Sequence, residues 1–151
     1  VLNTFIIANG GVPSGSMENT IMTGDRVIGS RLSYRFEDPK RGDIAIFRFP
    51  DNEKIYYVKR IIGLPGETVD IVDGKVYING SDEPLDEPYI REPMIPEAPM
   101  HLEVPENSYF MMGDNRNYSM DARRWENTYV KREKIIAKVL FRYFPNPGIL
   151  K

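Results

Sequence analysis

The chain has 151 residues, 20 Lys and Arg against 22 Asp and Glu, and 41% hydrophobic residues. That length fits one ordinary domain with a real core and room for a small appended subdomain. The net charge of −2 argues against a protein that coats nucleic acid, and the absence of cysteine excludes a disulfide framework, a thiol nucleophile and thiolate metal ligands together.

The first eight residues, Val-Leu-Asn-Thr-Phe-Ile-Ile-Ala, carry no initiator Met, so the chain reads as processed or trimmed. Eight residues are too few to cross a bilayer, which takes roughly 20, and no other window qualifies; as it stands the chain is expected to be soluble. Residues 26–32, 43–49 and 55–62 are short, rich in β-branched and aromatic side chains, and bounded by Gly, Pro or Asp, the pattern of strands. Residues 69–72 and 75–78 flank Asp73-Gly74, a hairpin turn signal, and Asn79-Gly80 marks the next turn. From Pro84 to Pro105 lie six of the twelve prolines with acidic residues between them. A proline lacks a ladder donor, so this stretch is predicted as an extended surface excursion and not a central strand. His101 falls within it and is read as a surface or loop histidine without a role. Residues 135–143 read as a buried strand, preceded by one helical turn at 131–134. No segment keeps a 3.6-residue apolar period over ten or more residues. The architecture predicted is a mainly antiparallel β core, residues 1–65 and 107–151, with a small hairpin-and-loop cap inserted at 66–106.

Three islands stand out. In Val12-Pro13-Ser14-Gly15-Ser16-Met17, Gly15 permits backbone angles that let both hydroxyls converge. A plain polar turn fits the tetrapeptide Pro-Ser-Gly-Ser, whereas a catalytic serine would need the rigidity that the apolar Met17 and Ile21 supply. In Tyr56-Tyr57-Val58-Lys59-Arg60-Ile61-Ile62, alternation puts Tyr57, Lys59 and Ile61 on one face and Tyr56, Val58, Arg60 and Ile62 on the other. A strand buried on both sides must hide Lys59 or Arg60. A strand lysine ordinarily snorkels to water or pairs with a carboxylate; a desolvated one loses its proton more easily and becomes a competent general base, which arginine cannot. The third island runs Gly113-Asp114-Asn115-Arg116-Asn117-Tyr118-Ser119-Met120-Asp121-Ala122-Arg123-Arg124-Trp125. It reads either as a solvated loop with weak ion pairs or, given the sole Trp and a Ser-x-Asp-x-Arg alternation, as support for a site.

Together with Arg41-Gly42-Asp43-Ile44 and Gly63-Leu64-Pro65-Gly66, these islands in this order resemble the bacterial type I signal peptidases, Ser-Lys dyad serine proteases of the membrane. The resemblance covers most of the chain outside 67–107, and the short insert looks like the Gram-positive form. It implies an antiparallel β-sheet catalytic core of the signal peptidase and LexA-like type, with no metal and no cofactor. It implies that Ser16 is the nucleophile and Lys59 its base. Ser14 and the Ser16 backbone N–H form the oxyanion hole, and Ser119 orients the lysine. Asp121, with Arg123 and Arg60 and joined by Asp114, forms a buried charge network under the site. Val12, Pro13, Met17, Ile21, Val27, Ile46, Tyr57 and Val58 bind substrate, with branched side chains crowding the pockets so that little beyond a methyl fits. The partners implied are preprotein signal peptides, cut after an Ala-x-Ala pattern, and the membrane surface, met through the apolar start and an upstream anchor removed from this chain. The location implied is the bacterial plasma membrane, single-pass, with the catalytic domain outside the cytoplasm. The sequence departs from the family pattern at Arg124, where an aromatic residue is expected, and at Asn117-Tyr118.

Two other readings compete. A self-cleaving repressor shares the dyad, but its N-terminal helix-turn-helix and internal scissile Ala-Gly are not found. A non-catalytic β module that binds peptides by strand addition has no use for Ser14, Ser16, Lys59 and Ser119 together.

Overall fold

The structure is a computed structural model that describes residues 5–7, 17, 20, 26–144 and 147–150. Its elements in chain order are β1 (Phe5–Ile7), β2 (Arg26–Ser30), the one-turn helix α1 (Ser33–Phe36), β3 (Ile44–Phe49), β4 (Asn52–Gly63), β5 (Thr68–Val72), β6 (Lys75–Ile78), β7 (Met100–Glu103), β8 (Ser108–Met112), β9 (Val130–Lys131), β10 (Ile135–Phe144) and β11 (Gly148–Ile149). An eight-stranded sheet runs β1-β2-β10-β3-β4-β8-β9 with β11 beside β10, and a three-stranded sheet runs β6-β5-β7. Every pairing is antiparallel, so the mainly antiparallel β class expected from the sequence is the one observed.

Most strands fall where β-branched runs put them. A 3₁₀ turn at Arg132–Lys134 leads into β10, close to the helical turn expected at 131–134. Asp73 and Gly74, with φ of 50° and 76°, supply the two left-handed residues that a tight hairpin turn between β5 and β6 demands. The elements not foreseen are α1, β7 and the short strands β1, β9 and β11. The helix α1 has only four residues, too short to leave a period in the sequence. The strand β7 lies inside the proline-rich stretch, between Pro99 and Pro105, and among the described residues pairs only with β5. Proline excludes a central strand but tolerates an edge, and β7 is an edge.

The large sheet is packed on both faces. Along β3, Ala45 and Phe47 belong to one apolar cluster with Ile61, Phe110, Met111, Ala122 and Trp125, whereas Ile44 and Ile46 belong to a second with Met17, Val27, Ala137 and Val139. Val69, Ile71 and Val76 of the small sheet join the first cluster, so the two sheets share a core. The seam between them is tight at Gly63. A Cβ there would stand 2.9 Å from Val69 Cγ2 and 3.0 Å from both Phe110 Cβ and Val104 Cγ2.

Candidate active site

Double-sided packing decides the fate of the two bases in β4. Lys59 lies opposite Ala45 and Arg60 opposite Ile44, so each points into a different apolar cluster. Alternation alone required one of them to be hidden; the structure hides both, with Lys59 4% and Arg60 1% exposed.

Their surroundings differ. Arg60 is fully served by acceptors: Nε and Nη2 donate to Asp114 Oδ1 and Oδ2 at 2.8 and 2.7 Å, and Nη1 to the Gly42 carbonyl at 2.7 Å. Its guanidinium also lies 3.9 Å from the centre of the Tyr89 ring. Lys59 Nζ sits 5.4 Å from the Tyr57 ring at the rim of an aromatic cluster. There Tyr57 stacks on Phe49 at 4.3 Å, and Trp125 closes on both from 5.9 and 5.2 Å. Burial lowers the Lys59 amine to about 8, with the Asp121 carboxylate pulling it back up and the Arg123 guanidinium pushing it further down. The cost of an unsolvated ammonium outweighs the pull of Asp121, which Arg123 partly cancels.

The 113–125 loop is a built support, not a solvated turn. Asp121 is wholly buried and takes hydrogen bonds from Gly113 N, Arg123 N, Arg123 Nε and Arg123 Nη2 at 2.8–3.2 Å. Burial acts to raise its carboxyl, but the bonds and charge of Arg123 hold it below the ordinary range. The network expected around Asp121, Arg123 and Arg60 therefore divides into two pairs, Arg123 with Asp121 and Arg60 with Asp114. Ser119 is 7% exposed and its Oγ is buried without a hydrogen-bond partner among the described residues, Lys59 included, so the bond to the lysine that the resemblance implied is not formed in this structure. Arg124 pairs with Glu97, and Asn117 bonds the backbone of residues 93 and 95, so both departures from the family pattern contact the proline-rich stretch.

Of the substrate-binding candidates, Met17, Val27 and Ile46 share the second apolar cluster, with Val58 packed against it. Tyr57 stands on the other face, in the aromatic cluster. Val12, Pro13, Ser14, Ser16 and Ile21 lie outside the described residues. Met17, next in the chain to Ser16, is wholly buried; its Sδ receives the Asp114 N–H at 3.3 Å and its carbonyl the Thr20 N–H at 3.0 Å. The Thr20 hydroxyl in turn donates to Asp114 Oδ2 at 2.5 Å. Three residues around the site were missed in the sequence: Thr20, Tyr89 against Arg60, and Glu87, which accepts from the Tyr89 hydroxyl and pairs with Arg116. The one available signal was an acidic residue and an aromatic placed together among prolines, and it did not say what they would meet. His101 is on β7, exposed, with Nδ1 2.5 Å from Asp70 Oδ1, a bond that raises its pKa.

A family model for signal peptidase, peptidase S26, matches residues 1–144. The chain belongs to that family. It is 40% identical over 153 residues to the probable signal peptidase I-2 of Synechocystis sp., covering 98% of this chain and 68% of that protein. Signal peptidase I of Leptolyngbya laminosa is 40% identical over 152 residues, 95% of this chain and 72% of its own. The crystal structure of a signal peptidase I from Enterococcus faecalis V583 superposes with a TM-score of 0.57 at 34% identity, covering 68% of this chain and 97% of that one. Membership in the signal peptidase family makes the chain a peptidase with a signal peptidase β fold. Among the described residues no helix is long and apolar enough to cross a membrane.

Proposed function

We propose that this chain cleaves signal peptides from exported preproteins after an Ala-x-Ala-type motif, with Ser16 as nucleophile and the neutral amine of Lys59 as general base. The observation that carries the reading is Lys59 itself, a lysine 4% exposed on a doubly covered strand with its pKa lowered to about 8. A base of that pKa is partly unprotonated near neutral pH, which an ordinary lysine is not.

In this mechanism Lys59 Nζ takes the Ser16 hydroxyl proton as Oγ attacks the scissile carbonyl carbon. The oxyanion is held by the Ser14 hydroxyl and the Ser16 backbone N–H. The lysine ammonium then returns its proton to the leaving amine, and the neutral amine activates water to hydrolyse the acyl-enzyme. The Asp121–Arg123 and Arg60–Asp114 pairs hold the walls.

An extended substrate has a place to lie. β4 pairs with β8 only from Arg60 to Gly63, so among the described residues the stretch Asn52–Val58 has β3 on one side and no strand on the other. A peptide added along that edge gains backbone hydrogen bonds and leads to Lys59. Met17, Val27, Ile46 and Val58, packed together, favour small side chains by steric exclusion. Residues 66–106 act as a cap on a catalytic core of 1–65 and 107–151, and the chain works at a bacterial plasma membrane on the extracytoplasmic side.

The test is cleavage of a signal-peptide substrate with an Ala-x-Ala site by Ser16→Ala and Lys59→Ala variants. Both are expected to be inactive yet folded, and the parent is expected to spare a substrate with a bulky residue at either Ala. Retention of more than a few per cent activity by well-folded Ser16→Ala removes the dyad.

A further inference from the structure

Lys59 occupies one rung of the large sheet with Ala45 of β3 opposite, and the next rung on the same face pairs Phe47 with Tyr57. Ala45 is too small to cover a lysine amine. The bulk beside it belongs to the neighbouring rung, where the Tyr57 ring stands 5.4 Å from Nζ. Trp125 lies over that rung, its ring centre 5.8 Å from Phe47 and 5.9 Å from Tyr57. It also reaches Phe49, which is stacked on Tyr57, and is itself only 7% exposed. The ring between the indole and the amine is therefore held on two sides.

Trp125 is fastened both before and after itself in the chain. Its Nε1–H donates to the Met120 carbonyl at 3.2 Å. Just past it, the exposed Asp51 in the turn between β3 and β4 gathers the chain: Oδ2 accepts from Glu126 N at 3.0 Å, and Oδ1 from Asn127 N and Nδ2 at 2.8 and 2.9 Å. The turn thus clasps the loop onto the two strands it connects. The charged groups that act on Lys59 are Asp121 and Arg123, both in the loop and paired with each other. Across the sheet, Lys138 of β10 stands beyond Ala45 and pairs with Asp43 at 3.6 Å.

We propose that Trp125, clasped by Asp51, is a positioning residue: it holds the Tyr57 ring in place beside Lys59 and so keeps water from the amine. The inference rests on the reading of Lys59 as general base, and it adds a supporting layer behind the side chains next to the amine. An ammonium that water can reach is no longer penalised by burial, so a loosened seal returns the lysine toward its ordinary behaviour.

The experiment is the pH dependence of kcat/KM for Asp51→Ala and Trp125→Leu with a signal-peptide substrate, beside thermal melts. Asp51→Ala removes three bonds at the surface and is expected to fold; it decides the matter alone if Trp125→Leu, which empties part of the core, does not. The ascending limb lies near 8 in the parent. In each folded variant it is expected to move up by about half a pH unit or more, with kcat/KM about three- to tenfold lower at pH 7 and within about twofold of the parent at pH 10. Charge cannot imitate this, because losing a carboxylate favours the neutral amine and moves the limb down. An unmoved or lowered limb in Asp51→Ala, or a loss equal at every pH, overturns the proposal. Lys59→Ala keeps the two failures apart. Activity without Lys59 removes the underlying reading and this inference with it, whereas an inactive Lys59→Ala beside an unmoved limb in Asp51→Ala removes only the inference.

Discussion

Asp114 grips Arg60 with both carboxylate oxygens, and the two side chains are 0% and 2% exposed. The same carboxylate accepts from Thr20, and the Asp114 backbone N–H reaches the Met17 sulfur. One residue therefore ties the segment beside Ser16 to the strand that carries Lys59.

Removing that carboxylate strips a buried guanidinium of its bidentate, charge-matched partner. Asp114→Ala is expected to cost about 3–5 kcal/mol, whereas replacing both partners, as in Arg60→Met with Asp114→Leu, is expected to recover most of it. Equilibrium urea unfolding measures both. A loss under about 1 kcal/mol for Asp114→Ala contradicts the role assigned to the pair.

Activity is expected to rise with pH through a titration near 8 as Lys59 loses its proton. The sign for stability follows from proton counts. Between about 8 and the ordinary lysine value of 10.5, the folded chain binds fewer protons than the unfolded chain, so the contribution of Lys59 to stability improves with rising pH. Below that window its full cost, about 3 kcal/mol, is present. Lys59→Met, close in shape and uncharged, is expected to be inactive and at least as stable as the parent at pH 7, with the difference closing toward pH 10. Thermal melts across pH check this; a Lys59→Met variant clearly destabilised at pH 7 makes Lys59 a structural cation.

Ser14→Ala is expected to lower kcat by about 10²–10³ with KM little changed, the usual effect of losing one oxyanion donor. Steady-state kinetics with an Ala-x-Ala peptide decides it. A change confined to KM moves Ser14 from the oxyanion hole to substrate binding.

Gly63→Ala is expected to destabilise the chain by about 1–3 kcal/mol through overpacking. The added methyl meets Val69, Phe110 and Val104 at 2.9–3.0 Å, which are held by both sheets and have little room to give. Denaturant unfolding reads the loss, and an unchanged midpoint shows that the seam between the sheets is softer than its distances suggest.

The strands were legible because β-branched runs and an Asp-Gly turn act locally. β2, β3, β4, the β5–β6 hairpin and β10 follow from nearest-neighbour preferences that the surrounding fold only trims by a residue or three at each end. The buried polar positions were legible too, since Lys59, Arg60, Ser119 and Asp121 sit in compact islands of unusual composition. Partnership was not. The resemblance put Arg60 and Asp114 in one network, but that Arg60 takes Asp114 and leaves Asp121 to Arg123, that Glu87 among the prolines neutralises Arg116, and that Thr20 reaches Asp114 across 94 positions depends on which strands become neighbours. No local pattern encodes that choice. Alternation in β4 showed that a base had to be buried. Only tertiary packing decided how each is housed, Arg60 matched by a carboxylate and Lys59 held where burial lowers its hold on a proton.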